Sequence, residues 1–494
     1  MSKDISASML YNYVQCPHRV SLDLYGNPAD KDAVSRFVQL LWDNGNDFEA
    51  QLVEELKIPL TDLSSYSPEE KEAATKEAMA RGDALIYSGR IRAGNLIGEP
   101  DLLRKHQKGY LAGDIKSGAG EEGASDTEDK KPKIHYAVQL ALYTDILERN
   151  GAAAKRTPFV WDIHRKEIEY DLAAPQGKVK STTLWSVYED VLDKIVSISS
   201  GKLQTLPAYS GTCKLCQWRT VCVNKVKETK DLTLIPELGR VKRDAMIASI
   251  RDIHELAEVD VDLFIQGKKT AFPGIGPDTL RKYQTRAKLQ LQPDARPYLT
   301  GPLSLPAAEK EIFFDIETDP MKDICYLHGF IERNSGKTAS EKYYSFYADE
   351  PTPEQEEKAF GDAWKYIRDS RPCIIYYYSK YERTIWRKLQ SKYPHVASSA
   401  EIEEMFSPAQ SIDLYFDVVK SKTEWPTRDY SIKTLAHYLG FSWRDTDPSG
   451  ASSIEWYHRW VESKDESVKT RILEYNEDDC VATRILLDGI RELK

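Results

Sequence analysis

Asp101 follows Pro100, and Asp114 and Lys116 lie two apart, in the stretch IGEPDLLRKHQKGYLAGDIKS at residues 97–117. The stretch reads as two strands joined by a polar turn over residues 104–109. Residues two apart on a strand share a face, so two carboxylates and an ammonium are expected to converge on one side of a sheet. Hard oxygen ligands of this kind suit Mg²⁺ or Mn²⁺, which polarise a phosphodiester and activate water. The lysine would stabilise developing negative charge or position the water. A second set obeys the same logic: Asp315 and Glu317 are spaced by two in KEIFFDIETDP, and Tyr475 and Asp479 by four in RILEYNEDDCVATRILLDGI. On a strand and a helix respectively, each spacing puts both side chains on one face. Asp479 would complete a carboxylate site for two Mg²⁺ ions. A third set has different chemistry: Cys213 and Cys216 enclose two residues, and Cys222 comes after five more.

Several elements must position these residues. ISASMLYNYVQCPHRVSLDLYG reads as a helix start capped by Ser6 or Ser8, with Cys16 near its end before Pro17. VSRFVQLLWDNGNDFEAQLVEELK has helical periodicity and carries Glu49. HYAVQLALYTDILERNG is a helix with Gln139 and Tyr143 four apart on one face. Between it and the hairpin, GAGEEGASDTEDKKPK is small and charged, and is expected to be a mobile loop. Residues 210–305 contain 16 Lys/Arg against 11 Asp/Glu, a balance of +5 that leaves −15 on the rest of the chain. RDAMIASIRDIHELAEVDVDLFI reads as helical there. FPGIGPDTLRKYQTRAKLQL then runs from a Gly-Ile-Gly turn into a helix with Pro277 in its first turn and Lys282, Arg286 and Lys288 beyond it. Free N–H groups at such a start can bind phosphate. QPDARPYLTGPLSLP reads as a domain boundary. Beyond it, CIIYYYSKYERTIWRKLQ gives a strand and a helix carrying Glu382, and YSIKTLAHYLGF a helix ahead of the one with Asp479.

Length and composition bound the answer. A chain of 494 residues is too long for one core and suggests two or three domains. With 41% hydrophobic and 30% charged residues, and no membrane-length apolar run or signal pattern, it reads as a cytoplasmic protein with no membrane association. The net charge of −10 argues against a surface coated in nonspecific nucleic-acid affinity and leaves room for a local basic channel. Seven cysteines without an export signal point to ligands or buried thiols rather than disulfides. Three of them within ten residues call for a metal, with Cys16 available as fourth ligand: a tetrahedral zinc or a [4Fe–4S] cluster.

In this order the motifs resemble known nucleases. Pro100-Asp101 with Asp114-Ile115-Lys116 resembles the PD-(D/E)XK nucleases. Gln139 and Tyr143 match the Q-x-x-x-Y helix of their RecB-like branch, where a preceding helix supplies a histidine or glutamate to the metal. Glu49 looks like that residue, with Phe48 close to where the histidine would stand. Cys16 plus Cys213, Cys216 and Cys222 resembles the iron–sulfur RecB-like nucleases, which include CRISPR-associated adaptation nucleases and helicase-nucleases of recombination. The resemblance implies a [4Fe–4S] clasp closing a long loop. Phe-Asp-Ile-Glu-Thr resembles the first motif of DnaQ-like exonucleases on an RNase H-like fold. That family usually places an aspartate where this chain has Glu382, neither Asp369 nor Asp413 being in register, and the extra methylene puts the metal geometry in question. Tyr475 would orient the attacking water in place of a histidine.

The reading is an α/β chain of three parts. Residues 1–230 form a PD-(D/E)XK restriction-endonuclease-like domain with the Fe–S cysteines. Residues 231–305 form a basic, helix-hairpin-helix-like connector, and residues 306–494 a DnaQ-like, RNase H-fold exonuclease domain. The resemblance to RecB-like nucleases of bacteria and archaea implies a Mg²⁺- or Mn²⁺-dependent deoxyribonuclease acting on single-stranded DNA ends, in DNA repair, recombination or defence. A helicase partner is expected by analogy, since the chain has no phosphate loop of its own. The alternative is a DNA-binding scaffold whose exonuclease-like domain is inert.

Overall fold

The computed structural model describes residues 3–56, 58–123, 130–176, 182–306 and 308–494. It divides into two compact units, Met1–Pro207 with Gly211–Cys222, and Ala208–Ser210 with Val223–Lys494.

In the first unit, α1 (Ala7–Gln15) and α2 (Pro17–Tyr25) meet at Cys16, and α3 (Arg36–Glu55) starts where Ser35 accepts from the N–H of Val38. A six-stranded sheet is built from β1 (Thr61–Asp62), β2 (Leu85–Tyr87), β3 (Leu102–His106), β4 (Gly109–Ile115), β5 (Phe159–Trp161) and β6 (Glu167–Glu169). Its order is β6-β5-β4-β3-β2-β1, with β3 and β4 an antiparallel hairpin and β5 parallel to β4. Every residue of β4 is buried, as a central strand covered on both faces requires. α4 (Ile134–Arg149) buries Tyr136, Ala137, Val138, Leu140, Ala141, Leu142 and Tyr143 in succession, so apolar side chains surround it. It packs between β4, α1 and α5 (Leu184–Ser199).

The hairpin is shorter than expected. Residues 96–98 pair instead with residues 5–6 and 91–93 in a separate three-stranded sheet. Pro100 has no N–H for the ladder, and the chain bends at Asp101 before β3 begins. The turn narrows to Gln107 and Lys108, with Gln107 in the left-handed region at φ 52°. At the ends of the acidic stretch, residues 121–122 pair with 131–132, and residues 124–129 lie outside the described residues. The cysteine turn leads into α6 (Arg219–Glu228).

In the second unit, residues 231–305, expected as a separate connector, cluster with residues 306–494. They have a small core of their own, including Leu232, Ile250, Leu256 and Leu280. The long helix expected there is two short ones, Arg240–Met246 and Ile253–Glu258, because Asp252 accepts from the N–H of Glu255 and starts a new helix. α7 (Pro277–Leu291) begins after Gly276 as expected. Arg286, expected to face a nucleic-acid backbone, is fully buried and donates to both carboxylate oxygens of Glu424, at 2.8 and 3.3 Å, and to Glu237 at 3.0 Å. Lys282 lies 3.4 Å from Glu424 as well. A buried guanidinium needs paired carboxylates, so Arg286 acts inside the fold, while Lys282 stays partly exposed. Lys288 stays exposed.

The second sheet uses β7 (Lys310–Asp319), β8 (Ile324–Asn334), β9 (Lys342–Tyr347), β10 (Ile374–Tyr377) and β11 (Ser411–Asp413), in the order β9-β8-β7-β10-β11. β7, β8 and β9 run antiparallel; β10 and β11 are parallel to β7. Helices α8 (Pro353–Asp369), α9 (Tyr381–Lys392), α10 (Ile432–Tyr438), α11 (Gly450–Ser463) and α12 (Glu466–Arg491) cover it. Alternation along β7 divides the core. Ile312, Phe314 and Ile316 pack with α8 and α9 residues, whereas Phe313 packs with Cys480, Leu486 and Leu487 of α12. Asp315 shares the face of Phe313 and so meets α12. β7 runs past the expected strand end, with a bulge after Glu317.

Two candidate active sites

Asp101 sits in the bend ahead of β3, Asp114 near the end of β4, and Lys116 just past it. Asp101 Oδ2 accepts the Ile115 N–H at 2.7 Å, which ties it across the hairpin. Lys116 Nζ lies 2.9 Å from Asp114 Oδ2. Asp114 is 1% exposed, and neither of its oxygens accepts a hydrogen bond of good geometry among the described residues. A buried carboxylate left this way has lone pairs for a cation. Burial drives the Asp101 pKa well up, Asp114 adds to it, Lys116 opposes it, and Glu49 adds again. For Lys116, burial works against the charge, but Asp114 and Asp101 outweigh it and raise its pKa, so the ammonium persists at neutral pH.

Glu49 of α3 also reaches the hydroxyl of Tyr87, whose pKa rises through burial first and Glu49 second. The fold therefore brings Asp101, Asp114 and Lys116 together, with Glu49 near enough to raise the Asp101 pKa, while Phe48 packs into a small apolar cluster. Gln139 Nε2 donates to Tyr143 Oη at 3.1 Å, and Tyr143 donates to the Glu99 carbonyl at 3.3 Å, two residues before Asp101. Gly98 makes this approach possible: a Cβ there would lie 2.6 Å from the Tyr143 ring. Sequence reasoning missed Tyr136, whose ring lies 5.7 Å from Lys116 Nζ and whose pKa burial pushes up to about 12. Its spacing of three from Gln139 on one helix face was the available signal.

In the second unit, ligand oxygens of Asp315, Glu317 and Asp479 all lie within 4.8 Å of one another. Asp315 stands in register with Gly329 on β8. A Cβ at Gly329 would fall 1.6 Å from Asn476 Oδ1. The glycine thus leaves room for Asn476, which donates to Asp315 Oδ2 at 2.8 Å and accepts from Tyr343 at 2.8 Å. Trp443 Nε1 donates to Asp479 Oδ1 at 2.8 Å. Lys433 Nζ donates to Tyr475 Oη at 2.9 Å and stands 3.9 Å from Asp479 Oδ1. Burial, then Asp479, pushes Glu317 up to about 8. Burial, then Asp479, Glu317 and Glu382, raises Asp315 well above the usual carboxylate range.

Glu382 opens α9, is 4% exposed, and has one oxygen without a hydrogen-bond partner among the described residues. It is close enough to the site to raise the Asp315 pKa. Asp413 instead caps the turn after β11, accepting from the N–H groups of Tyr415 and Phe416, and Asp369 pairs with Lys365. Clustered buried carboxylates of this kind repel one another until a divalent cation joins them. Asn476, Trp443, Lys433 and Gly329 were missed; only Asn476, three residues before Asp479, carried a local signal.

Cys16 stands between α1 and α2, Cys213 in the 3₁₀ turn Gly211–Leu215, Cys216 just after it, and Cys222 on α6. Burial raises the Cys216 thiol pKa, and Cys16 and Cys213 are near enough to raise it further. The neighbouring residues are stitched to the N-terminal helices. Trp218 Nε1 donates to Asp23 at 2.9 Å, the Thr220 N–H to the Asp32 side chain at 2.9 Å, and the Asp32 N–H to the Gln217 carbonyl at 2.7 Å. These contacts bring Cys213 and Cys216 to the N-terminal helices that flank Cys16.

Residues 8–223 match the family model of the PD-(D/E)XK nuclease superfamily, and residues 312–490 that of the RNase H superfamily. No curated protein matches the chain. Among the described residues no helix is long and apolar enough to cross a membrane. The chain joins an N-terminal domain of the PD-(D/E)XK nuclease superfamily to a C-terminal domain of the RNase H superfamily.

Proposed function

We propose that the protein is a Mg²⁺- or Mn²⁺-dependent deoxyribonuclease that degrades single-stranded DNA ends through two separate sites. The observation that carries the reading is the pair of buried carboxylate sets. One holds Asp101 and Asp114 with Lys116 against them; the other holds Asp315, Glu317 and Asp479 within 4.8 Å. Burial beside other carboxylates raises the pKa of Asp101 in the first set and of Asp315 in the second. Bound divalent metal would neutralise the carboxylates, polarise the phosphodiester and activate water.

In the first site Glu49, Asp101 and Asp114 would hold the ion, and Lys116 would face charge developing on the phosphoryl oxygens. In the second, Asp315, Glu317 and Asp479 would hold metal, Glu382 would support them, and Tyr475 would orient water. Cys16, Cys213, Cys216 and Cys222 would carry a [4Fe–4S] cluster that clasps the N-terminal domain. We place the protein in the cytoplasm, in DNA repair, recombination or defence, with a helicase as its partner by analogy. A second reading, a DNA-binding scaffold with an inert C-terminal domain, is favoured by Glu382, whose extra methylene alters the usual carboxylate geometry.

Cleavage of end-labelled single-stranded DNA and of matching RNA with Mn²⁺ or Mg²⁺ tests the reading, comparing wild type, Lys116→Ala and Asp479→Ala. Loss divided between the variants supports two sites. Loss with Lys116→Ala alone supports the scaffold role for the second domain, and preference for RNA rejects the DNA assignment.

A further inference from the structure

We propose that Lys433 is a positioning residue of the second site: its ammonium fixes the Tyr475 hydroxyl and stands beside Asp479. The inference rests on the nuclease reading of that site and adds a residue to it. Lys433 Nζ is held from several sides. It donates to the Pro448 carbonyl at 2.7 Å and to Tyr475 Oη at 2.9 Å, and lies 3.9 Å from Asp479 Oδ1. It also stands 4.5 Å from the Tyr475 ring centroid and 5.1 Å from that of Trp443. The latter indole itself donates to Asp479 at 2.8 Å.

The direction of these bonds matters. An ammonium only donates, so Tyr475 Oη accepts from Lys433, and its own proton is left to face Asp479, one turn along the same helix. The phenol is thus locked in one donor orientation. The same ammonium stands 3.9 Å from Asp479 Oδ1, and the ligand oxygens of Asp315 and Glu317 lie within 4.8 Å of that of Asp479, so its field reaches all three carboxylates. The Pro448 contact also ties α10 to a loop, so a purely structural role predicts loss of fold and of metal binding together. A positioning role predicts the opposite sign for metal: removing a cation beside the carboxylates strengthens binding of Mn²⁺.

The test uses the full chain carrying Asp114→Ala, which silences the first site. Into it are placed Lys433→Met, Tyr475→Phe and the pair, with Lys433→Arg as the conservative variant. Lys433→Met is expected to lower kcat by about 100-fold with KM little changed, the lower end of what one positioned proton-handling group contributes. The double variant should be no slower than the worse single one, because both act as a unit. Calorimetric titration should show Mn²⁺ binding tighter in Lys433→Met than in its parent, with Lys433→Arg restoring the parent value. Additive losses in the cycle, or Mn²⁺ affinity unchanged or weakened, overturn the proposal. If the parent shows no cleavage with any metal, the nuclease reading of this site falls, and the Mn²⁺ titration alone decides Lys433.

Discussion

Arg444 binds Asp478 twice, through its backbone N–H at 2.8 Å and its Nε at 2.9 Å. The neighbouring aspartate turns the other way, toward Asp315 and Glu317. Two adjacent acidic residues on one helix thus have different tasks. Asp479→Asn is expected to reduce the second activity by about 10³-fold or more, the scale of losing one charge-stabilising group in a catalytic site. Asp478→Asn should leave cleavage unchanged and lower the melting temperature by a few degrees, because its ion pair is partly exposed. Single-turnover cleavage and thermal melting of both variants check this.

Lys116 stays charged because Asp114 and Asp101 outweigh its burial. Lys116→Ala should therefore remove cleavage by the N-terminal domain, by about 10²–10³-fold, without unfolding it. Divalent-metal binding should survive in this variant, since the carboxylates remain; in Asp114→Ala it should not. Mn²⁺ titration of the two proteins, beside their cleavage rates, separates loss of chemistry from loss of metal.

Glu317, raised to about 8 by burial and Asp479, gives the metal-free protein a pH dependence with a definite sign. Its folded pKa lies above the unfolded value of 4.5, so the folded state binds more protons between the two. The associated stability is fully present below about 4.5 and is lost as pH rises through about 8. Melting temperature without metal should fall across that window. Mn²⁺ should restore it most strongly at the alkaline end, where no proton has to be displaced. A melting curve that rises with pH without metal would overturn this assignment.

On the proposed [4Fe–4S] cluster, Cys216→Ala should remove the iron and sulfide that the cluster would bring, with its brown colour, and reduce solubility. A cluster on these thiols would tie both ends of the N-terminal unit, so its loss would act on folding rather than on the carboxylate site. Elemental analysis and the visible spectrum are the measurements; a colourless wild type with stoichiometric zinc replaces the cluster with a zinc clasp.

Arg286 and Glu424 form a buried ion pair within the second unit. Arg286→Ala removes the bidentate partner of buried Glu424, leaving it Lys282 at 3.4 Å and the Tyr430 hydroxyl, and is expected to cost about 3 kcal/mol, measured by denaturant unfolding. Replacing both partners by methionine should cost less than the single change, because the buried carboxylate leaves together with its guanidinium partner.

The chain by itself determined which side chains share a face. Period-two spacing put Asp315 and Glu317 on one strand, and period-four spacing put Tyr475 above Asp479 and Gln139 above Tyr143. These are local consequences of backbone geometry, legible without a partner. The order of motifs likewise announced a nuclease domain ahead of an RNase H-like one. Tertiary structure decided which charges face a site and which are neutralised within the fold. Arg286, a candidate phosphate ligand on its helix, became the partner of Glu424 across 138 residues of chain. Asn476 reached Asp315 only because strand register put Gly329 beside it. Lys433 came to Tyr475 through the packing of one helix on another. Such pairings depend on register and long-range packing, which a single sequence leaves open, whereas the face a side chain occupies depends only on its neighbours a few residues away.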